Sequence, residues 1–562
     1  MYSPLLIKHS SLFTHAIAIY LGLLLLPCIA RSESINTTDI GKLNQPSSAA
    51  PSIETCERSS SDDSPEDKFE QKFGKISVIG KSSLHQSKIA EALQPFQDQQ
   101  LTSEVLQQAS DTITLLYLNQ GFITSRAVPV KDTNNAIKII EGYISKVEIE
   151  NRQRLRLGYL CKRIQLGVDH PLNKNKLDDQ LRLLKSDPLL KNIEANLQAG
   201  QALGESILKV RVSEASAFNF SLGSDNFSPV SVGSERFGGT IGYQNLTGGG
   251  DGITLTHYRS ITGGSTSWDI SYRIPLNPMN GSLQFRYAPN ESKITEKPLD
   301  IFGLRAKNKL FEATYRQPVI RTPREELAFS LAFGLQDGQN FILDDLPLSF
   351  GAGAEEDGST HTRVLRFSQE YVKRDLSGAW GLRSQFNFGL DVFNATRNPP
   401  PIPDGKFFAW NGQIQRIQRI SNSHLLVLQG DVSLSSAPLL PIQQYVLGGG
   451  QSLRGYRQNL TTGDNGFRAS IEDRIVVARD KTGLPTFQLA PFLDIGKSWN
   501  NPSSVIPNKT NKILFGLGLG AIWEPSPGLL LRIDYATPLT KVPDRGSNLQ
   551  DTSIYFSLGY TP

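Results

Sequence analysis

Ile513-Leu514-Phe515-Gly516-Leu517-Gly518-Leu519-Gly520-Ala521-Ile522-Trp523 is the stretch on which the reading of this sequence turns. Ile513, Phe515, Leu517, Leu519 and Trp523 fall on one parity; Gly516, Gly518 and Gly520 fall on the other. Successive side chains of a strand point to opposite faces, so one face here is apolar throughout and the other is nearly bare. A helix would place its apolar positions three and four residues apart. This segment is a strand.

The pattern recurs on both sides of it. Upstream, Trp380, Leu382, Phe386, Phe388, Leu390 and Val392 share one face, and Arg383, Gln385, Asn387 and Asp391 share the other. At the chain end Ile554, Phe556, Leu558 and Tyr560 alternate with Ser553, Ser557 and Gly559. Sixteen such segments follow residue 214. The first eight lie near 217–226, 234–245, 251–260, 265–275, 280–288, 307–317, 325–336 and 362–374. The rest lie near 378–391, 406–419, 423–435, 466–478, 486–496, 511–523, 528–537 and 551–560. Turns after the even-numbered segments are short, whereas 289–306, 337–361, 392–405, 436–465 and 497–510 follow odd ones and are long. Short turns on one side and long loops on the other mark an outer-membrane barrel. A closed sheet is also what hydrocarbon demands, because every backbone N–H and C=O must find a partner there. The expected fold over 215–562 is a transmembrane β-barrel of 16 antiparallel strands.

Composition agrees once the barrel is in view. Only 38% of the residues are apolar, but a barrel needs an apolar residue only at every second strand position. No apolar run of about 18 residues occurs beyond the extreme N-terminus, which excludes helical spans. The net charge, 58 − 54 = +4, is too slight to imply nucleic acid, and the seven His and three Cys form no metal-ligand cluster. No cofactor is expected.

Residues 1–30 read as an export signal: Lys8, then an apolar core from Ala16 to Leu26, then Cys28-Ile29-Ala30 before a cut near Arg31. The apolar core is too short for a membrane anchor, and Pro27 sits where a lipoprotein site at Cys28 would want a small residue. Residues 31–73, rich in Ser, Thr, Asn, Pro, Asp and Glu, read as a disordered linker, with a short helix starting around Ser64-Pro65-Glu66. From 74 to 214 the order strand, helix, helix, strand, strand occurs twice, over 74–143 and 144–214. In the first unit Val105, Ala109, Ile113 and Leu116 keep helical spacing within 102–119. Cys56 and Cys161 are the cysteines left after export, and their positions decide neither for a bridge nor for two free thiols.

Two motifs carry chemistry. The longest loop holds Gly448-Gly449-Gly450-Gln451-Ser452-Leu453-Arg454-Gly455-Tyr456. Two strands later comes Phe492-Leu493-Asp494-Ile495-Gly496, where alternation turns Leu493 and Ile495 to lipid and Phe492, Asp494 and Gly496 to the lumen. An arginine on a long loop and a carboxylate in the lumen can form a directional pair. Glycine-rich stretches such as Gly248-Gly249-Gly250-Asp251 lack the Lys-Ser or Lys-Thr of a phosphate-binding loop and read as turns.

A Leu453-Arg454-Gly455-Tyr456 tip after strand 11 of 16, a Phe-x-Asp-x-Gly strand and two preceding modules together resemble the two-partner secretion transporters, the TpsB family. The resemblance covers residues 74–562. It implies two periplasmic POTRA modules that receive an unfolded, β-rich exoprotein, and an outer-membrane pore that passes it outward. It also implies that Arg454 pairs with Asp494 inside the barrel, with Leu453, Gly455 and Tyr456 shaping the tip and Phe492 and Gly496 flanking the aspartate. The partners so implied are a secreted β-helical exoprotein, outer-membrane lipid and, during biogenesis, the barrel-assembly machinery. Module strands with open edges would hold the exoprotein by strand addition; the alternative is a rigid spacer. Two departures stand out. Residues 31–63 show no periodicity for the plug helix that the family often carries, and Tyr560 stands two residues before the end instead of at it. A barrel-assembly insertase of the same superfamily and a passive porin are the competing readings. An insertase would want more modules, and a porin needs none. No nucleophile–base pair or carboxylate pair suggests an enzyme.

Overall fold

The computed structural model describes residues 53–56, 70–131, 135–505, 511–543 and 546–562. The export signal expected over 1–30, the start of a helix near 64 and most of the linker and plug region lie outside those residues. Of the described residues, those up to Ala217 together with Asn245–Gly250 form one body, and Phe218–Gln244 with Asp251–Pro562 form another.

The first body holds two sheets. Strand β1 (Ile53–Cys56) comes first in the chain, then β2 (Glu70–Phe73) and β3 (Ile76–Ile79). Helices α1 (Gln86–Leu93) and α2 (Ser103–Asn119) follow, then β4 (Arg126–Pro129) and β5 (Ala136–Ile140). The second unit runs β6 (Tyr143–Glu150), α3 (Leu157–Gln165), α4 (Lys174–Lys185), β7 (Leu190–Ala199) and β8 (Glu205–Glu214). Thr102 caps α2 by accepting the Val105 N–H at 3.3 Å, and Asn173 caps α4 from Asn175 at 3.0 Å. Each cap satisfies a donor that the first helical turn leaves open. From there α2 buries Leu106, Ala109, Ile113 and Tyr117, three or four residues apart, against Ile76, Val78 and Ile137 of the sheet. In the second unit Leu160, Ile164 and Leu184 pack on Ile149 and Val210 in the same way. Fully burying such a side chain contributes roughly 1.5–3 kcal/mol, so two small cores each stand on about a dozen aliphatics and aromatics.

Sheet order is β2-β3-β5-β4 in the first unit and β1-β6-β8-β7 in the second. Here the structure corrects the sequence reading, which puts 31–73 wholly in a disordered linker. Glu70–Phe73 pairs antiparallel with β3, and Ile53–Cys56 pairs antiparallel with β6, in register from Ile53↔Glu150 to Cys56↔Val147. Four residues are too few to show periodicity, and a strand added to an existing edge needs backbone groups more than apolar side chains. Cys56 is disulfide-bonded to Cys161 on α3, 105 residues away in sequence. Arg152 clamps the same strand, its Nε donating to Glu54 Oε2 at 2.6 Å.

The second body is a closed antiparallel barrel of 16 strands. They begin with β9 (Phe218–Asp225), β10 (Arg236–Gln244), β11 (Gly252–Ser260), β12 (Ser265–Pro275) and β13 (Ser282–Lys293). Next come β14 (Arg305–Arg321), β15 (Glu325–Ile342), β16 (Ser359–Arg374), β17 (Gly378–Gly389) and β18 (Phe408–Arg419). The last six are β19 (His424–Ser435), β20 (Asn465–Arg479), β21 (Pro485–Trp499), β22 (Leu514–Ser526), β23 (Leu529–Pro538) and β24 (Ile554–Tyr560). Closure pairs β24 with β9 from Ser557↔Asp225 to Tyr560↔Leu222, and the Asn226 amide extends it by bonding Ile554 O and Phe556 N at 2.9 Å each. The odd–even rule of short turns and long loops holds. Strands β13 to β16 run further toward the long loops than the alternation indicates, because residues such as Asn290 and Glu291 on β13 and Asp337 and Gln339 on β15 go on pairing where neither face is apolar. By contrast β17 stops at Gly389, so Leu390, Asp391 and Val392 lie beyond it, and Ile513 precedes β22.

The wall is inverted relative to a soluble domain. Leu517 is 51% exposed and Trp523 49%, on the outward face, with Leu493, Ile533 and Leu558 also outward. Among the described residues no helix is long and apolar enough to cross a membrane; the strands provide the apolar band.

Candidate functional site

The loop between β19 and β20, residues 436–464, folds against the barrel's inner wall. It carries its own short hairpin, Tyr445–Leu447 paired with Thr461–Gly463. Leu453, fully buried, clusters with Leu447, Tyr456 and Leu460 and with Leu514 of β22. That cluster makes the loop a packed body.

Its tip is fixed by charge. The Arg454 guanidinium meets Asp494 on two prongs, Nε to Oδ2 at 2.7 Å and Nη2 to Oδ1 at 2.8 Å. The Arg454 backbone N–H donates to Asp494 Oδ2 as well, at 3.1 Å. Nη1 donates to Glu472 Oε2 at 2.7 Å, and the cation lies over the Phe492 ring, 3.2 Å from its centroid. Ser470 Oγ donates to Asp494 Oδ1 at 2.6 Å. Arg454 is 6% exposed and Asp494 1%. A fork of this kind both strengthens the pair and fixes its direction.

Around it the charges balance. Glu472 also receives Arg474 Nε at 2.9 Å and Arg532 Nη2 at 2.7 Å, and Arg532 Nε bonds Asp534 Oδ2 at 2.8 Å. Three guanidinium groups therefore face three carboxylates. Removing one partner of such a buried pair costs roughly 3–5 kcal/mol, because the other charge stays behind without compensation.

The remaining residues of the two motifs set the fit. Gly455 has φ +99°, a conformation that side chains resist, and its N–H donates to the Tyr555 hydroxyl at 3.0 Å. Tyr555 in turn donates to Tyr456 O at 2.6 Å, and the Tyr456 hydroxyl donates to Phe515 O at 2.8 Å. The glycine face of β22 now has a purpose. A Cβ at Gly516 would stand 1.9 Å from Arg454 O, and one at Gly518 would stand 2.4 Å from the Phe492 ring. Gly496 lies beside Leu447, where a Cβ would come within 3.0 Å of its Cδ1. The bare face leaves room for the loop.

So the structure gathers Leu453, Arg454, Gly455, Tyr456, Phe492, Asp494 and Gly496 into one site. It adds Glu472, Arg474, Arg532, Asp534 and Tyr555, which the sequence reading passed over. Their signal was available: Glu472 and Arg474 share the parity of Ser470 on β20, and Arg532 and Asp534 share the parity opposite Leu531 and Ile533 on β23. Among the described residues no group of His, Cys, Asp and Glu is arranged to hold a metal ion. What the site does chemically is hold a loop in place.

Comparison with known proteins bears on both bodies. The family model described as haemolysin secretion/activation protein ShlB/FhaC/HecB matches residues 204–522, and a ShlB-type POTRA domain model matches residues 73–142. The heme/hemopexin transporter HuxB of Haemophilus influenzae is 20% identical over 475 residues, which is 80% of each chain. Among solved structures, CdiB from Escherichia coli superposes with a TM-score of 0.66 at 17% identity, covering 90% of this chain and 92% of that one. BamA from Haemophilus ducreyi lacking POTRA domains 1–3 gives 0.54 at 14% identity, covering 88% and 100%. These two likenesses are likenesses of fold.

Proposed function

The chain belongs to the ShlB/FhaC/HecB family of haemolysin secretion/activation proteins, and from that membership we propose that its POTRA modules take hold of an unfolded, β-rich exoprotein which the barrel then passes to the cell surface. It is an outer-membrane transporter whose POTRA modules lie in the periplasm. The finer steps are the proposal. The exoprotein's extended segments add to a module sheet, where recognition runs through backbone groups. The barrel cavity, lined by Arg286, Glu312, Arg366, Gln385, Asn387 and their neighbours, offers polar groups to an unfolded chain's peptide bonds. With no nucleotide-binding loop in the sequence, the pull comes from folding of the exoprotein outside.

The observation that carries this reading is the loop fixed inside the wall by Arg454. A plain diffusion pore has no use for a six-charge cluster, centred on the buried Arg454, Glu472 and Asp494, that holds one loop in one position. In the proposed role the Arg454–Asp494 pair keeps the tip against β21 and β22, so that the loop shapes the passage without blocking it.

The test is genetic. Deleting the gene should strand one large β-helical exoprotein in the periplasm and leave other outer-membrane barrels at their normal abundance. Arg454→Ala and Asp494→Ala should each lower export while the barrel still assembles. A general loss of unrelated barrels on deletion would instead speak for an insertase, and full export by both variants would remove the pair from the mechanism.

A further inference from the structure

The outward face of β13, β14 and β15 changes character at one level. Going toward the long loops, β14 turns Tyr315, Ala313 and Phe311 outward, and then Lys309, Lys307 and Arg305. Phe311 is 49% exposed and stacks on Tyr287 of β13, ring centroids 4.3 Å apart, so this is the lipid side of the wall. The register carries the change across neighbouring strands. Tyr287, Phe311 and Leu335 stand in one row, and Pro289, Lys309 and Asp337 stand in the next outward row toward the loops. Trp268 of β12 falls opposite Pro289, as the pairs Ser267↔Asn290 and Ile270↔Tyr287 require. An outward tryptophan marks the level where hydrocarbon gives way to headgroups. Long loops lie at the cell surface, so these headgroups belong to the outer leaflet.

Two cations at this level are left unanswered. Each carboxylate around them has another partner. Glu291 is paired with Arg305, which also holds Asp345 at 3.0 Å, and Lys293 holds Asp344 at 2.5 Å. Asp337 stands across from Lys309 in the register, yet it meets His361 at 2.7 Å and Arg363 at 2.8 Å instead. Among the described residues Lys307 and Lys309 form no ion pair. The Lys307 ammonium lies over the Phe341 ring, 5.1 Å from its centroid, and Lys309 is exposed.

Beneath them the apolar row gains a ring from elsewhere. Phe393, in the loop after β17, is 71% exposed at φ +50°, and its ring meets Phe333 of β15 with centroids 6.2 Å apart. Arg363 Nε donates to its carbonyl at 2.9 Å and holds the bend. A left-handed backbone is an outlier for a bulky side chain, and such strain persists where the surroundings impose it, often at sites with a use. Here it sets an aromatic side chain against the lipid face, below the two lysines.

We propose that this rim binds a phosphorylated glycolipid of the outer leaflet, its acyl chains along Tyr287, Phe311, Leu335 and Phe393 and its phosphates on Lys307 and Lys309. A water-soluble anion gains nothing from the aromatic rows, and an acidic protein would have to enter hydrocarbon to reach them. An amphiphile with its negative charge uppermost satisfies both halves, and two flexible lysines answer a headgroup that carries more than one phosphate. The site depends on the barrel's place in the outer membrane and is independent of what the pore carries.

The experiment uses the full-length protein in detergent, with bisphosphorylated lipid A as the probe, and reads lipid bound per chain by native mass spectrometry. Lys307→Gln combined with Lys309→Gln should weaken binding about tenfold or more. Lys497→Gln, which alters an outward lysine at the loop end of β21, should leave it unchanged. Phe393→Asn keeps a residue that accepts the left-handed backbone and removes the ring, so binding should fall severalfold. Faster migration of the unboiled protein on a gel checks that each barrel is closed. Should the double variant fail to close, lipid A stripped of its phosphates decides on the unaltered protein, where it should bind as weakly as intact lipid A binds the double variant. The assignment is overturned by unchanged binding in the double variant, by an equal loss in Lys497→Gln, or by no binding to the unaltered protein. Displacement of lipid A by an equal amount of phosphatidylglycerol, or by inorganic phosphate, overturns it as well.

Discussion

The two halves of this molecule solve the same problem with opposite interiors. In the modules the centre is hydrocarbon, with Ile113, Leu160 and Ile164 fully buried. In the barrel the centre is ionic, with Arg454, Glu472 and Asp494 buried and leucines outside. The rule common to both is that most polar groups held away from water find a partner. They differ in what supplies the fit. Apolar packing is forgiving of chemistry and strict about volume; an ionic interior is strict about count and direction, since each charge must be answered.

That contrast can be broken most directly at the loop tip. Arg454→Ala leaves Asp494 and Glu472 facing each other and should loosen the 436–464 loop by roughly 3–5 kcal/mol, read as protease cutting within it in assembled, membrane-embedded protein. If water fills the lumen freely, the effect shrinks toward the ~0–1 kcal/mol of surface pairs, and the barrel interior is then simply wet. The next effect sharpens the apolar side. Leu160→Ala should cost the second module about 2–5 kcal/mol in urea unfolding followed by hydrogen exchange. The same truncation at Leu517 should cost less, because lipid chains close over the gap and no cavity remains. Equal losses at the two sites would mean that the outer face is packed against something firmer than lipid. The smallest effect concerns the strand clamp. The Arg152 hydrogen bond holds the Glu54 carboxyl below its usual range, so the clamp contributes above the ordinary glutamate pKa and is lost as pH falls through the lowered one. Both groups are partly exposed, so the contribution stays within about 1 kcal/mol. In a Cys56→Ser background, protection of the Ile53–Cys56 amides should fall between neutral and strongly acidic pH; equal protection at both would remove Glu54 from the clamp.

Much of this was legible in the chain. Strand parity in 511–523 and 551–560 gave the barrel and its faces, since lipid on one side and water on the other impose a period of two. Helical spacing at Ala109 and Ile113 gave the modules. The loop arginine and the lumen aspartate were visible as motifs. Glu472, Arg532 and Asp534 were not singled out, because a charged residue on a lumen face is ordinary until the strands beside it are known, and pairing across β20, β21 and β23 is a property of the closed sheet. β1 and β2 were hidden for another reason. Strands that form by joining an existing edge need no pattern of their own, so four residues of mixed character look the same whether they pair or hang free. The Cys56–Cys161 bond was undecidable for the same cause: its geometry exists only once β1 lies on β6.

That bond has a topological effect on the modules. It closes a covalent ring that begins at Cys56, threads the whole of the first module and returns at Cys161. A periplasmic protease that cuts once anywhere inside the ring severs the backbone without releasing a fragment. Nicked protein would run as one band on a gel without reductant and as two with it, and the first module would stay attached to its neighbour through the damage.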